Sequence, residues 1–236
     1  MNIRTLHAWD VSPAEARIIQ DELRGQLQLA DRIRPDDITV VAGVDNAYTR
    51  DGSAATAHAA VVALSFPGLE VIETAFASCP VTFPYVPGLL AFREAPAVLD
   101  ALKELQVEPD VVLFDGQGYA HYRRLGLASH LGLVLDRPTI GCAKTRLVGR
   151  YEEPAQEFGA HTPLVDKGER VGAAVRTRPG HAPLFVSPGD HITTDMAVAV
   201  VLACCRNNRF MPEPTRLAHN LVTARARAPR EATAGR

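Results

Sequence analysis

Residues Asp110–Asp115 read DVVLFD, four consecutive apolar residues closed at each end by an aspartate. A run this short is characteristic of a strand rather than a globular helix, and its lack of alternation means that both faces are buried, as in a central parallel strand covered by helices. The chain is therefore read as an α/β protein, and the flanking sequence fills in the rest. Upstream, residues 89–105 (LLAFREAPAVLDALKEL) have helical apolar spacing, and downstream PTIGCA (138–143) is a second short buried run. Before the helix, Thr39–Asp45, Ala57–Phe66 and Leu69–Ala77 are rich in β-branched or small apolar residues and are separated by the turn-forming DGSAAT and SFPG. That pattern predicts an antiparallel three-strand meander. Ser12–Ile33 predicts a leading helix, with Ser12 as N-cap, Pro13 at the first position and Glu15 closing a capping box. Arg123–Leu135, Thr193–Arg206 and the residues after Pro214 have helical spacing, whereas RVGAAVRT (170–177) and APLFVSP (182–188) read as strands. The expected architecture is a mixed sheet, a meander continued by parallel strands, flanked by helices.

With 236 residues, 47% hydrophobic and 22% charged, the chain suits one core. A single domain is expected over residues 1–224, followed by a disordered basic tail at 225–236, RARAPREATAGR, which lacks any apolar period. There is no apolar run long enough to span a membrane and no signal-peptide core in MNIRTLHAWD, so a cytoplasmic, membrane-free protein is expected. The four cysteines lack metal-type spacing, and Cys204 and Cys205 are adjacent, which fits reduced thiols. A net charge of −2 argues against a protein that coats nucleic acid by bulk electrostatics. A monomer needs no further assumption.

Three carboxylates stand where apolar residues belong. In VVAGVDNAY (40–48), alternation puts Val41, Gly43 and Asp45 on one face, and Asp115 closes VVLFD in the same way. On the helix, Glu94 falls about 40° from the centre of the apolar stripe at Val98, while Arg93, Asp100, Lys103 and Glu104 lie on the opposite side. One acid at a strand end is ordinarily a turn or capping residue. Three that converge repel one another, and a hard divalent cation with oxygen ligands relieves this; Mg²⁺ suits a phosphate substrate. Asp36 and Asp37 read as a solvated turn. GxSxG and P-loop patterns are absent, and NAYTRDGS (46–53) is a poor phosphate-binding hairpin, which counts against an actin-like kinase or ATPase.

These segments resemble the endonuclease V family of deoxyinosine-specific nucleases. The likeness runs through VAGVDNAY, PYVPGLLAFREAP, VVLFDGQGYAHYRRLGLASHLGL, PTIGCAKTRLVG, APLFVSPG and PEPTRLAH, nearly the whole chain from about Ser12 to Asn220. The resemblance implies a ribonuclease H-like fold, with Asp45 and Asp115 as Mg²⁺ ligands and Glu94 completing the acidic cluster. It also implies Lys144 near the scissile phosphate, Tyr85 as a wedge beside the lesion, and His219 near the acids. Gln117 departs from the family, which commonly has His or Asn there.

In DGQGYAHYRR, Gly116 and Gly118 let the main chain approach a flipped base closely, and His121 is a candidate contact to phosphate or metal site. Tyr85 is held between Pro84 and Pro87, a stiff aromatic suited to stacking. Arg123, Arg124, Arg137, Lys144, Arg146 and Arg150, against the single acid Asp136, form a local basic excess able to track phosphates. The activity implied is Mg²⁺-dependent repair of DNA: hydrolysis of the second phosphodiester bond 3′ to deoxyinosine, leaving a 3′-hydroxyl and a 5′-phosphate. The alternatives are an inosine-specific endoribonuclease and a non-catalytic lesion-binding protein.

Overall fold

The computed structural model describes residues 1, 3–206 and 209–227. Its strands are β1 (Val40–Asp51), β2 (Ala54–Ser65), β3 (Val71–Pro80), β4 (Val111–Phe114), β5 (Thr139–Ala143), β6 (His161–Asp166), β7 (Glu169–Val175) and β8 (Leu184–Pro188). The helices are α1 (Pro13–Leu23), α2 (Leu90–Glu104), α3 (Leu127–Leu135), α4 (Thr194–Ala203) and α5 (Glu213–Arg227). The strands form one mixed sheet in the order β3-β2-β1-β4-β5-β8-β7-β6. β1, β4 and β5 are mutually parallel, and every other pairing is antiparallel.

DVVLFD is the hinge of this topology, and its two aspartates do different work. Asp110 fixes the start of the parallel pair: its Oδ2 accepts from the backbone N–H groups of Thr39 and Val40 and from the Thr39 hydroxyl at 2.8–2.9 Å. Asp115 sits at the other end, one residue beyond β4, with its own N–H on the Val44 carbonyl. Between them Val111 and Leu113 face one layer, with Val41, Ile140 and residues of α4 and α5. Val112 and Phe114 face the other, with Val44, Val98 and Leu102 of α2 and Leu131 of α3.

Several boundaries differ from expectation for identifiable reasons. The leading helix keeps its capping box, Ser12 with Glu15, but ends at Leu23 with one 3₁₀ turn, Arg24–Gln26. The residues after it are drawn off by tertiary hydrogen bonds: Gln28 N–H to Asp190 and Arg32 N–H to the His191 carbonyl. The turn expected across DGSAAT shrinks to Gly52–Ser53, because Asp51 already pairs with Ala54, and Gly52 takes the positive φ (+56°) such a tight hairpin needs. α3 starts at Leu127 rather than near Arg123, since the preceding loop folds back and bonds Gly126 N–H to the Gly118 carbonyl. The edge strand β6, with a proline at 163 and alternate residues exposed, carries too weak a pattern to be read from sequence. α5 reaches Arg227, so residues 225–227 of the expected tail are helical; the remainder, 228–236, lies outside the described residues.

Gly43 sets how closely α5 can approach the sheet. A Cβ at this position would lie 2.0 Å from the carbonyl carbon of Pro214 and 2.4 Å from the amide nitrogen of Thr215, both backbone atoms that cannot swing aside. Gly43→Ala is therefore expected to lower unfolding free energy by about 1–3 kcal/mol through overpacking, read from urea unfolding. An alanine variant as stable as the parent would mean that the helix can retreat without cost.

Candidate active site

The parallel register aligns Val44 with Phe114, so Asp45 and Asp115 follow on adjacent strands at the same edge of the sheet. Asp45 shares the face of Val41 and Gly43, against which α5 packs, and α5 presents His219 to it: His219 Nδ1 lies 2.7 Å from Asp45 Oδ2. One ligand atom each from Asp45, Asp115 and His219 can be chosen so that all three lie within 4.8 Å of one another, a spacing able to hold a metal ion. Burial raises the Asp45 pKa first, repulsion from Asp115 raises it further, and the His219 contact opposes both. Lys144, just past β5, forms an ion pair with Asp115 Oδ2. Two carboxylates and one imidazole nitrogen converging at this spacing fit a divalent cation.

Glu94 reaches this edge from the opposite face. It belongs to α2, is 8% exposed, and is not among the three residues whose ligand atoms converge. Its carboxylate instead accepts a hydrogen bond from the Tyr48 hydroxyl at 3.1 Å, and the Arg93 guanidinium lies 4.9 Å from the Tyr48 ring centre. Tyr48 is a partner that the sequence reading missed. Alternation offered the signal, because Tyr48 shares the α2-facing side of β1 with Ala42 and Val44.

Beside these acids opens a cleft of about 480 Å³ whose walls include Tyr85, Leu90, Gly116, Gln117, His121 and Lys144. Tyr85 stands at the mouth, 73% exposed, on a turn anchored by the buried Phe83, Leu89 and Phe92. A polar strap fixes that turn to the opposite wall. The Gly88 carbonyl accepts from Gln20 Nε2 at 3.1 Å and Arg123 Nη2 at 2.9 Å, and Gln20 Nε2 also donates to the Leu125 carbonyl. Gln20 is fully buried and was not anticipated.

The glycine loop behaves differently at its two glycines. Gly116 lines the cleft and has ordinary room for a Cβ. At Gly118 a Cβ would meet the Pro188 carbonyl oxygen at 2.3 Å, and its N–H is already given to Ser187 Oγ, so its close approach is to β8 and not to a ligand. Gln117 Nε2 donates to the Thr145 carbonyl at 2.8 Å, tying the loop to the segment that carries Lys144. His121 is buried in the cleft wall, and burial, then the nearby Arg123, lower its pKa to about 4. At physiological pH it is a neutral ring, able to meet a ligand by hydrogen bonding but bringing it no charge.

The basic excess read between residues 116 and 150 is dispersed by the fold. Arg124 is committed to Asp166 and Glu169, Arg123 to the strap, and Arg137 pairs with Glu108 at the opposite end of the sheet. Of the six, Lys144 reaches the acidic centre.

A mixed sheet with an antiparallel meander, in which an aspartate within β1 and the aspartate just after the adjacent parallel β4 come together beside an open cleft, defines a nuclease of the ribonuclease H-like fold. The chain belongs to the endonuclease V family, whose model matches residues 21–220. It is 51% identical over 219 residues to endonuclease V of Nostoc punctiforme, covering 93% of this chain and 97% of that one. Among solved structures, endonuclease V of Bacillus subtilis superposes with a TM-score of 0.91 at 35% identity, covering 95% and 96% of the two chains. Endonuclease V of Ciona intestinalis, in complex with a 23mer DNA containing an inosine followed by a ribo-adenosine, matches with a TM-score of 0.79 at 26% identity over 92% and 98%. No helix among the described residues is long and apolar enough to cross a membrane.

Glu94 generates a prediction about stability. Burial, opposed by the Tyr48 hydrogen bond and reinforced by Asp45 and Asp115, lifts its pKa from an ordinary 4.5 to about 8. Between those values the folded protein holds a proton that the unfolded chain has released, so stability is fully present below 4.5 and declines as pH rises towards 8. In chelator, thermal unfolding of the parent is expected to shift downward across that window, and Glu94→Gln to flatten the slope. Parallel curves for the two proteins would show that Glu94 ionises normally.

Proposed function

We propose that this protein is a Mg²⁺-dependent DNA repair endonuclease that recognises deoxyinosine and hydrolyses the second phosphodiester bond on its 3′ side. The observation that carries this reading is the convergence of Asp45, Asp115 and His219, of which Asp115 also lines the cleft whose walls include Tyr85. Asp45, Asp115 and His219 are the residues that would hold Mg²⁺, which supplies an acidified water and charge compensation for the departing oxygen. Lys144 brings its ammonium to the same edge, where it offsets negative charge developing on the phosphate. Glu94, held by Tyr48, is coupled to Asp45 and Asp115 from the α2 side, and their charge helps to keep its proton in place.

The extruded base enters the cleft, where uncharged groups, the Gly116 main chain, Gln117 and the neutral His121 ring, suit a neutral hypoxanthine. Tyr85 fills or braces the gap left in the duplex. In hydrolysis the water oxygen bonds to phosphorus and the bond from phosphorus to the 3′ oxygen breaks, so the 3′ oxygen leaves protonated and the phosphate stays on the 5′ end. A second reading, an inosine-specific endoribonuclease, is favoured by the ribo-adenosine that follows inosine in the nucleic acid bound by the Ciona intestinalis protein. The paired acids Asp45 and Asp115 weigh against a lesion-binding protein without catalysis.

End-labelled duplexes containing one deoxyinosine, and matched strands with ribonucleotides 3′ to it, test these readings together. Cleavage of the DNA duplex is expected with Mg²⁺ and not with chelator, at the second 3′ bond; equal cleavage in chelator would remove the metal, and cleavage confined to the ribo substrate would favour the second reading. Asp45→Ala and Asp115→Ala are expected to slow cleavage more than about a hundredfold, beyond what losing an outer-shell partner costs, while lesion binding persists. Tyr85→Ala is expected to act chiefly on binding. The reverse pattern would overturn the assigned roles.

A further inference from the structure

Tyr85 lines the cleft, and a second exposed tyrosine, Tyr122, packs against two residues of its wall, Gly88 and His121. Tyr122 follows His121 and is 51% exposed. Its hydroxyl has no hydrogen-bond partner among the described residues, so no polar contact explains its placement. What places it is Gly88, the residue that closes the Tyr85 turn. Gly88 has φ +80°, and a Cβ there would meet Arg123 Nη2 at 3.0 Å, Tyr122 Cδ2 at 3.2 Å and His121 Nε2 at 3.5 Å. One edge of the Tyr122 ring thus rests on the glycine, and the ring centre lies 5.7 Å from that of His121, which lines the cleft. Arg123, the next residue, holds the Gly88 carbonyl and Gln20 Oε1 at 2.9 and 2.6 Å, so the loop bearing Tyr122 and the turn bearing Tyr85 are joined as one body.

We propose that Tyr122 is a second stacking residue, which binds a nucleobase flanking the one extruded into the cleft. This rests on the proposed recognition of deoxyinosine in DNA and extends it: Tyr85 fills the gap, and Tyr122 carries a neighbouring base on the other side of Gly88. An exposed aromatic face next to a base-sized cleft is suited to sequence-tolerant stacking, since every base offers a π-face. Half of Tyr122 is exposed, and it rests against Gly88 and His121 of the cleft wall, which puts a free aromatic surface within reach of a base next to the extruded one. Tyr122 is a positioning residue, since it touches the flanking base and not the scissile bond.

The test compares the parent, Tyr122→Ala and Tyr122→Phe on a duplex with one deoxyinosine, on its undamaged counterpart, and on a deoxyinosine duplex with 2-aminopurine beside the lesion. Binding is measured with Ca²⁺ and turnover with Mg²⁺. Tyr122→Ala is expected to weaken binding of the deoxyinosine duplex about five- to 150-fold, the range of one base–aromatic stack, with the loss in KM exceeding any in kcat. Tyr122→Phe restores it, and the 2-aminopurine signal on binding changes between the parent and the alanine variant. A deoxyinosine affinity for Tyr122→Ala within twofold of the parent, or failure of phenylalanine to restore it, overturns the proposal while leaving the cleft reading intact. A parent that shows no preference for deoxyinosine over undamaged duplex overturns both. Equal thermal stability of the three proteins excludes a folding defect as the source of the loss, and a marked drop confined to Tyr122→Ala, with binding per folded molecule unchanged, counts against the proposal.

Discussion

The repulsion between Asp45 and Asp115 is the constraint around which the molecule is organised. Parallel pairing of β1 with β4 leaves them no choice of position, because the register that buries Val44 and Phe114 side by side places the next residue of each strand at the same edge. The protein surrounds that negative charge with basic groups from two other elements, His219 from α5 and Lys144 from beyond β5. Each depends on tight backbone packing elsewhere. His219 is within reach because Gly43 lets the first turn of α5 sit against the sheet, and the Lys144 segment is tied to the glycine loop through Gln117 and Thr145.

What the sequence made legible, and what it concealed, follows from this arrangement. Short apolar runs such as VVLFD have few conformations that bury both faces, so the central strands and the α/β class could be read directly. Glu94 was identifiable as inward-facing because one carboxylate on an apolar stripe breaks a period that is otherwise kept. Its surroundings were not, since strand alternation and helical phase locate a side chain on a face without saying which face meets which helix. Asp45 and Glu94 lie on opposite sides of the sheet, so they share a field but not a set of ligand atoms. The basic residues between 116 and 150 misled for a related reason: proximity in sequence says little once a strand crosses the molecule, and Arg137 and Lys144 stand at opposite ends of β5. Long-range polar partners such as Gln20, which bonds to residues 68 and 105 positions away, leave no periodic trace at all.

The glycines show how one residue type can serve two ends. Gly118 admits β8, whose backbone and Ser187 hold the loop from behind, and so fixes the wall of the cleft without facing it. Gly88 serves the front: its positive φ turns the chain out of the Tyr85 segment, and its missing side chain leaves the space that His121, Tyr122 and Arg123 crowd into. The rigidity of the Tyr85 turn therefore comes less from the prolines that flank the tyrosine than from a buried glutamine and an arginine that bind the same carbonyl.

Charge is partitioned across the cleft in a way that matches what a nucleotide presents. The phosphodiester is anionic and its cleavage concentrates charge, and the groups that respond to charge, Asp45, Asp115, Lys144 and His219, are gathered in one place. The base is neutral, and a cation in its pocket would be desolvated with nothing to compensate it. His121 obeys that rule: burial and the neighbouring Arg123 strip its proton, and it contributes a neutral ring to the wall. Arg123 itself turns away from the cleft to satisfy the strap, and Arg124 is neutralised by Asp166 and Glu169. A run that reads HYRR, two of whose four residues are formally cationic, thus presents to the cleft one uncharged imidazole and beside it an exposed phenol ring, which is the character a base requires and a phosphate does not.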